Sequence, residues 1–348
     1  MSRETMLTLN TTQLIGNTDK KGKAWHYRAD LQGAESNHYA GMIPVEDVLR
    51  RLFHWTAEEA PVQFSIPEAI TMDGVTAGQT FTDDSRKVIY RSDTKAPLGV
   101  FSASYDRHQF SEVLVENVAG ILGEGLGIGS AGLLEGGAIG YLQVEMPDSV
   151  TMADGAEYRP YLLAMSSHNG KRATGYQLVI QRVVCDNTLA IAAAEKGGKY
   201  KIKHTRYSSM KIKDAREALG IITTATETFA EEVEEFLSIK VDDRQWSKFL
   251  ELAVPIAPDA KGRSLTMAEN KRGELNRLYK HDERVAPWMG TGWGVYQAVN
   301  TYDQHYAVSR NLGDGNKGAA RYDRSLMAVS GGELDKQVEN VRQTLALV

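Results

Sequence analysis

The chain has 348 residues, 42% hydrophobic and 24% charged, an ordinary globular composition with room for one to three domains. Its net charge of −5 excludes a surface that is basic throughout, so contact with nucleic acid requires a local basic patch. No apolar run approaches the roughly 18 residues that span a bilayer, and residues 1–12 lack a secretory pattern. The one cysteine, Cys185, excludes an internal disulfide and a cysteine-built zinc site, and a cytoplasmic protein with no membrane contact is expected.

Residues 1–95 read as a mixed N-terminal segment. Pro44 opens a helix over 45–55 at a first-turn position, where a missing N–H does no harm. Val48, Leu49, Leu52 and Phe53 form its apolar stripe. Short strands follow over 62–66 and 87–91.

Residues 96–213 read as a sheet with inserted helices. A strand over 98–105 leads to a helix over 110–122, with Phe110, Leu114, Val118 and Ile121 on one face. The glycine-rich stretch 123–132 reads as a loop. Glu135-Gly136-Gly137 then turns the chain into a strand over 138–146. A second hairpin joins 158–166 to 175–184 around Ser167-His168-Asn169-Gly170, whose Asn-Gly supplies the positive φ of a tight turn. A short helix over 188–195, capped by Asp186 or Asn187, and a strand over 199–207 close the segment.

Residues 214–348 read as helical. Leu219, Ile222, Thr226, Phe229, Val233 and Phe236 form a seam on one long helix, first of all a core-facing one. A helix over 243–254 stops at Pro255, and Thr266 with Glu269 fits a capping box before another. Gly290, Gly292, Gly294 and Ala298 accompany a helix carrying Trp293, Tyr296, Tyr302 and Tyr306, where small residues let backbones approach closely. The fold class is therefore α+β, an antiparallel sheet core with inserted helices followed by a helical C-terminal portion.

Several chemical motifs fail on context. Gly127-Ile128-Gly129-Ser130-Ala131-Gly132 matches G-x-G-x-x-G, but the predicted order is helix before and strand after, the reverse of a dinucleotide site. Gly170-Lys171 lacks the upstream glycine of a phosphate loop, since Met165 stands there. The histidines do not pair at metal-ligand spacing; His168 and His204 read as structural or surface residues. Cys185 reads as an inert buried thiol at a strand end. The carboxylates over 227–235 read as a solvated helix face. No catalytic residue, metal or nucleotide cofactor is expected.

The feature that survives is the basic run 196–216. It holds Lys196, Lys199, Lys201, Lys203, Arg206, Lys211, Lys213 and Arg216, with Tyr200 and Tyr207 interleaved. On a strand, positions 199, 201 and 203 share a face and lie about 7 Å apart, close to the phosphate repeat of an extended single strand. Lys171 and Arg172 beside the hairpin turn extend the surface. The bland alternative is an edge strand kept soluble by lysines.

The strings Leu98-Gly99-Val100, Tyr161-Leu162-Leu163, Ser167-His168-Asn169-Gly170, Arg182-Val183-Val184-Cys185-Asp186-Asn187-Thr188-Leu189, Lys203-His204-Thr205 and Gly292-Trp293-Gly294-Val295-Tyr296-Gln297-Ala298-Val299 resemble the phage/plasmid-like family called domain of unknown function nine-three-two. Trp25 and Val48-Leu49-Arg50-Arg51-Leu52-Phe53 resemble its actinobacterial phage branch. The resemblance implies a mobile-element origin beside recombination and replication functions and brings no catalytic residues with it. The leading expectation is a non-enzymatic, single-stranded nucleic-acid-binding protein that assembles as a homo-oligomer, with strand annealing suggested by fold analogy alone. The alternatives are an oligomeric interaction protein and an enzyme whose site assembles from distant residues.

Overall fold

The computed structural model describes residues 14–17, 35–71, 74–120, 122, 126–145, 150–182, 188–190, 199–202, 215–306 and 334–348. Two short strands, β1 (Leu14–Asn17) and β2 (His38–Tyr39), precede helix α1 (Val45–Arg51). Pro44 sits at the N-cap of α1, in extended conformation, and Val48 is its buried residue. A long hairpin follows, β3 (Ala57–Ile66), β4 (Ala69–Thr71), β5 (Gly74–Thr76) and β6 (Gln79–Arg91), then β7 (Pro97–Ser102). Strands β3, β6 and β7 form a three-stranded antiparallel sheet, and β4 pairs with β5 beyond its end. A π-helical turn, Ser111–Glu116, runs into α2 (Asn117–Ala119).

The main sheet is built from β8 (Gly127–Leu134), β9 (Ile139–Glu145), β10 (Val150–Thr151), β11 (Glu157–Ser167), β12 (Thr174–Arg182), β13 (Thr188–Ala190) and β14 (Lys199–Ile202), with β1 and β2 beyond β8. Its spatial order is β13-β12-β11-β9-β8-β1-β2, with β14 also on β12 and β10 on β11. All pairs are antiparallel except β1 with β2. Both faces are buried. Leu142, Val144, Leu162 and Ala164 join the large core, while Tyr141, Tyr161, Leu163, Met165 and Val179 form a second cluster on the other face. The alternation along β9 and β11 divides these two sets residue by residue.

The C-terminal portion comprises α3 (Ala215–Ser238), α4 (Asp243–Ala253), α5 (Arg263–His281), α6 (Gly292–Thr301) with a π-helical turn Tyr302–Tyr306, and α7 (Leu334–Leu345). Phe229, Val233 and Phe236 of the predicted seam are buried within the chain, with Phe229 and Phe236 packed edgewise or tilted on Trp293. The Phe229–Phe236 part of the seam is thus core-facing, while the side chains of Leu219 and Ile222 lie outside the described ones. Asp242 caps α4 in a reciprocal box with Gln245. Thr291 caps α6, and a Cβ at Gly294 would overlap the Trp288 carbonyl oxygen, so glycine permits the close approach there.

Sheet and helices meet at Asp154, in the turn between β10 and β11. Its carboxylate accepts from the Ala156 N–H at 2.9 Å, from the Tyr158 hydroxyl, and from Trp293 Nε1 at 2.9 Å. Its carbonyl accepts from Trp288 Nε1 at 3.0 Å. Tyr158 and Trp293 are buried, so the rings carry their polar atoms to one acceptor.

Three sequence readings are overturned. The stretch read as a glycine loop contains β8 from Gly127 onward, an interior strand whose glycines make room for packing. A Cβ at Gly129 would overlap the buried Glu145 carboxylate, and Gly129 is the extra residue where the β8–β9 register shifts. The helix predicted over 188–195 is instead a strand at Thr188–Ala190, paired with Gln181–Val179, and the rest of that stretch, with Asp186 and Asn187, lies outside the described residues. A free strand edge outweighs the costly nucleation of a short helix. The capping box at Thr266 is absent because α5 begins earlier, at Arg263; the Thr266 hydroxyl donates back to Gly262 at 3.1 Å from inside the helix. Helix α1 also ends four residues before its predicted limit of 55.

Asp154→Ala should lower stability by roughly 2–4 kcal/mol, because the buried Trp293 and Tyr158 rings lose a partly buried carboxylate acceptor for Nε1 and Oη. Urea denaturation measures this. A loss below about 0.5 kcal/mol, the range of an inert surface change, would mean the rings hold the junction without it.

Candidate nucleic-acid interface

Strand β14 carries the first part of the predicted basic run. Lys199 pairs with Gln177, Tyr200 with Tyr176, Lys201 with Gly175 and Ile202 with Thr174. No further strand pairs with β14 among the described residues, so it forms a margin of the sheet. Two cross-strand rows end there, Lys199–Gln177–Leu163 and Lys201–Gly175–Met165. Leu163 and Met165 belong to the second core cluster, so each lysine position terminates a row that begins in buried apolar surface. Lys203, Arg206, Tyr207, Lys211 and Lys213 lie outside the described residues, as do His204 and Cys185.

The β11–β12 hairpin brings Lys171 and Arg172 to the end of β12 that pairs with β14. Both are exposed. Lys171 is held by Glu135, Nζ to Oε1 at 2.8 Å, and Asn169 Nδ2 donates to the other oxygen of the same carboxylate at 2.6 Å. Glu135 therefore ties the tip of one hairpin to the tip of the next and offsets the Lys171 charge. The Arg172 backbone is fixed on both sides by Ser167: its N–H donates to Oγ at 3.0 Å, and Oγ–H donates to its carbonyl at 2.7 Å. The Arg172 guanidinium has no ion pair among the described residues and faces solvent.

A second brace sits behind the tips. Arg91 Nη1 donates to the Gly136 carbonyl at 3.1 Å, its Nε and Nη2 grip Asp93 at 2.9 and 2.7 Å, and its Cζ lies 4.3 Å from the Trp55 ring centroid. The guanidinium holds the Asp93 carboxyl down to about 2, with the Thr94 N–H assisting against partial burial. Trp55 meets Phe110 edgewise, and Phe110 lies 4.3 Å from the His168 ring. His168 is fully buried and is structural, one of the two readings that the sequence allowed. Neither the Glu135–Asn169 contact nor the Arg91–Gly136 contact carries a local sequence signal, since the partners lie 34 and 45 residues apart.

Among the described residues no group of three or more His, Cys, Asp or Glu could hold a metal ion, and no helix is long and apolar enough to cross a membrane. The family model described as Domain of unknown function (DUF932) matches residues 97–326, from β7 past α6 and short of α7. The chain belongs to that family. The DUF932 match takes in β14, the Lys171–Arg172 turn and the Asp154 junction, and it leaves the whole β3–β6 hairpin outside. No curated protein and no solved structure matches the chain.

The Arg91–Asp93 pair gives this DUF932 protein a defined acid limb. A carboxyl with its folded pKa below its unfolded value stabilises fully above about pH 4, and that contribution is lost as pH falls through about 2. Asp93→Asn should flatten unfolding free energy against pH within that window, measured by denaturation at stepped pH. Identical acid slopes for the variant and the parent would remove the pair from the account of acid stability.

Proposed function

We propose that this DUF932 protein is a non-catalytic binder of single-stranded nucleic acid that serves recombination or replication of a phage or plasmid in the bacterial cytoplasm. One observation carries the reading: the antiparallel pairing of β14 with β12, which ends the sheet in Lys199 and Lys201 beside the exposed Arg172. Lysines at alternate strand positions stand about 7 Å apart and can follow successive phosphates. Tyr200 and Tyr207 supply rings for stacking from the same run. The resemblance of residues 48–53 to an actinobacterial phage branch supports the mobile-element setting, and strand annealing is the form of activity that a sheet with a basic margin suits.

A second reading, an oligomeric interaction protein, is favoured by one feature of the three-stranded sheet. Phe64, Ile66, Phe81 and Val100 are exposed, with the Phe64 and Phe81 rings stacked at 5.4 Å. Exposed apolar faces of this kind mark protein contacts.

Replacing Lys199, Lys201 and Lys203 together by alanine should weaken binding to single strands of any sequence, because phosphate contacts carry no base information. The slope of log affinity against log salt should fall by roughly 0.7 per lost contact, about 2 in all. The fold should persist, as surface lysines contribute little to stability. Anisotropy titrations at several salt concentrations read both quantities. If the parent protein fails to bind at low salt, or the variant keeps its slope, the lysines only guard a sheet edge. Light scattering on a Phe64→Ser, Phe81→Ser variant then tests the interaction reading: loss of an oligomer found in the parent supports it.

A further inference from the structure

Tyr306 ends the π-helical turn after α6 and is 38% exposed, although most aromatic rings of the described helices are buried. Two guanidiniums flank it. Arg277 Cζ lies 5.3 Å and Arg284 Cζ 5.8 Å from its ring centroid, and Arg284 Nη2 donates to its hydroxyl at 3.0 Å. Nearly two turns earlier on α5, Lys271 Nζ lies 5.1 Å from the Tyr302 ring. Lys271 and Arg277 are six residues apart, about 9 Å along the helix and roughly 120° around it, so the two cation–aromatic contacts lie on adjoining faces of α5. Carboxylates aim the guanidiniums: Glu274 holds Arg277 at 2.6 Å, and Asp282 grips Arg284 through Nε and Nη2 at 2.7 Å each.

We propose that this corner is a base-stacking platform for single-stranded nucleic acid, with Tyr306 taking a base and Arg277 and Lys271 meeting the flanking phosphates. It rests on the nucleic-acid reading above but uses other residues on another element. An exposed tyrosine ring with a guanidinium bonded at its hydroxyl end and another nearby matches what an unpaired base needs: a π face to stack on and cations close to it. Against the three cations Lys271, Arg277 and Arg284 stand the carboxylates Glu274 and Asp282, so the corner has little net charge. Stacking therefore dominates over phosphate neutralisation. The platform has the opposite signature to the β14 lysines: removing the ring weakens binding and leaves the salt slope unchanged.

Anisotropy with labelled oligothymidylate and with an abasic strand of equal length tests this in the full chain. Tyr306→Ala should weaken oligothymidylate binding about 5- to 150-fold, the range of one lost stack. Its salt slope and its affinity for the abasic strand should match the parent, and Tyr306→Phe should bind as the parent does. Thermal melts check that both variants fold. In the unaltered protein, a bromouracil-substituted strand should photocross-link to the peptide holding Tyr306. Parent-like binding by Tyr306→Ala, or a cross-link that misses this peptide, overturns the platform. If only the β14 triple variant loses affinity, the platform falls and the β14 reading stands. If only Tyr306→Ala loses affinity, the platform stands and the β14 reading falls. A parent protein that binds neither strand overturns both.

Discussion

One carboxylate joins the sheet of this protein to its helices. Asp154 sits where the chain reverses between β10 and β11, and two tryptophans of the helical portion reach it with their indole N–H groups. Tyr158, on the strand that follows the turn, closes on the same oxygen that Trp293 uses. Hydrogen bonds to a charged acceptor contribute about 1.5–3 kcal/mol each, more than neutral pairs. The large core depends on that junction. It runs from Val48 on α1 and Leu52 just past its end, through Leu142 and Leu162 of the sheet, to Phe229 and Trp293 of the helices. With the tryptophans docked, α3 lies between β11 and α6, its Phe229 touching both Tyr158 and Trp293.

Away from the junction, the sheet is organised by braces between hairpin tips. Glu135 connects the β8–β9 turn to Asn169 and Lys171 of the next hairpin. Arg91 connects the smaller sheet to that same β8–β9 turn through the Gly136 carbonyl. These contacts are short-range in space and far apart in sequence. They fix the end of β12 where β14 pairs, so the backbone that would present Arg172 is rigid before any ligand arrives. A preordered backbone lowers the entropic cost of binding.

Elements governed by local chemistry were legible in the sequence. Asn169-Gly170 announces its hairpin because glycine takes the positive φ of the turn, observed at 74°. The seam from Phe229 to Phe236 announces a core-facing helix by its spacing. Alternation in Lys199-Tyr200-Lys201-Ile202 announces a strand. What stayed hidden depends on partners distant in the chain. Gly129 looks like a loop glycine, and only the Glu145 side chain packed over it explains its place in a strand. Thr188 favours a helix locally and is captured by the edge of β12. In the site, the lysines of β14 could be read directly, whereas Glu135 as the Lys171 partner could not. The pairing of Tyr306 with Arg284 crosses 22 residues and leaves no periodic trace.

The span of the Asp154 junction sets a timetable for the nascent chain. Trp293 follows Asp154 by 139 residues, which a ribosome adds in roughly 7–28 s at about 5–20 residues per second. During that interval the β10–β11 turn has been made but its indole partners have not. The helix-facing side of the sheet, with Leu142, Val144, Leu162 and Ala164, has Phe110 and Val115 from the earlier helical turn as partial cover and must wait for the rest. The protein therefore spends seconds of every synthesis with that face half covered, and chaperone demand should be set by this delay as much as by the stability of the finished molecule.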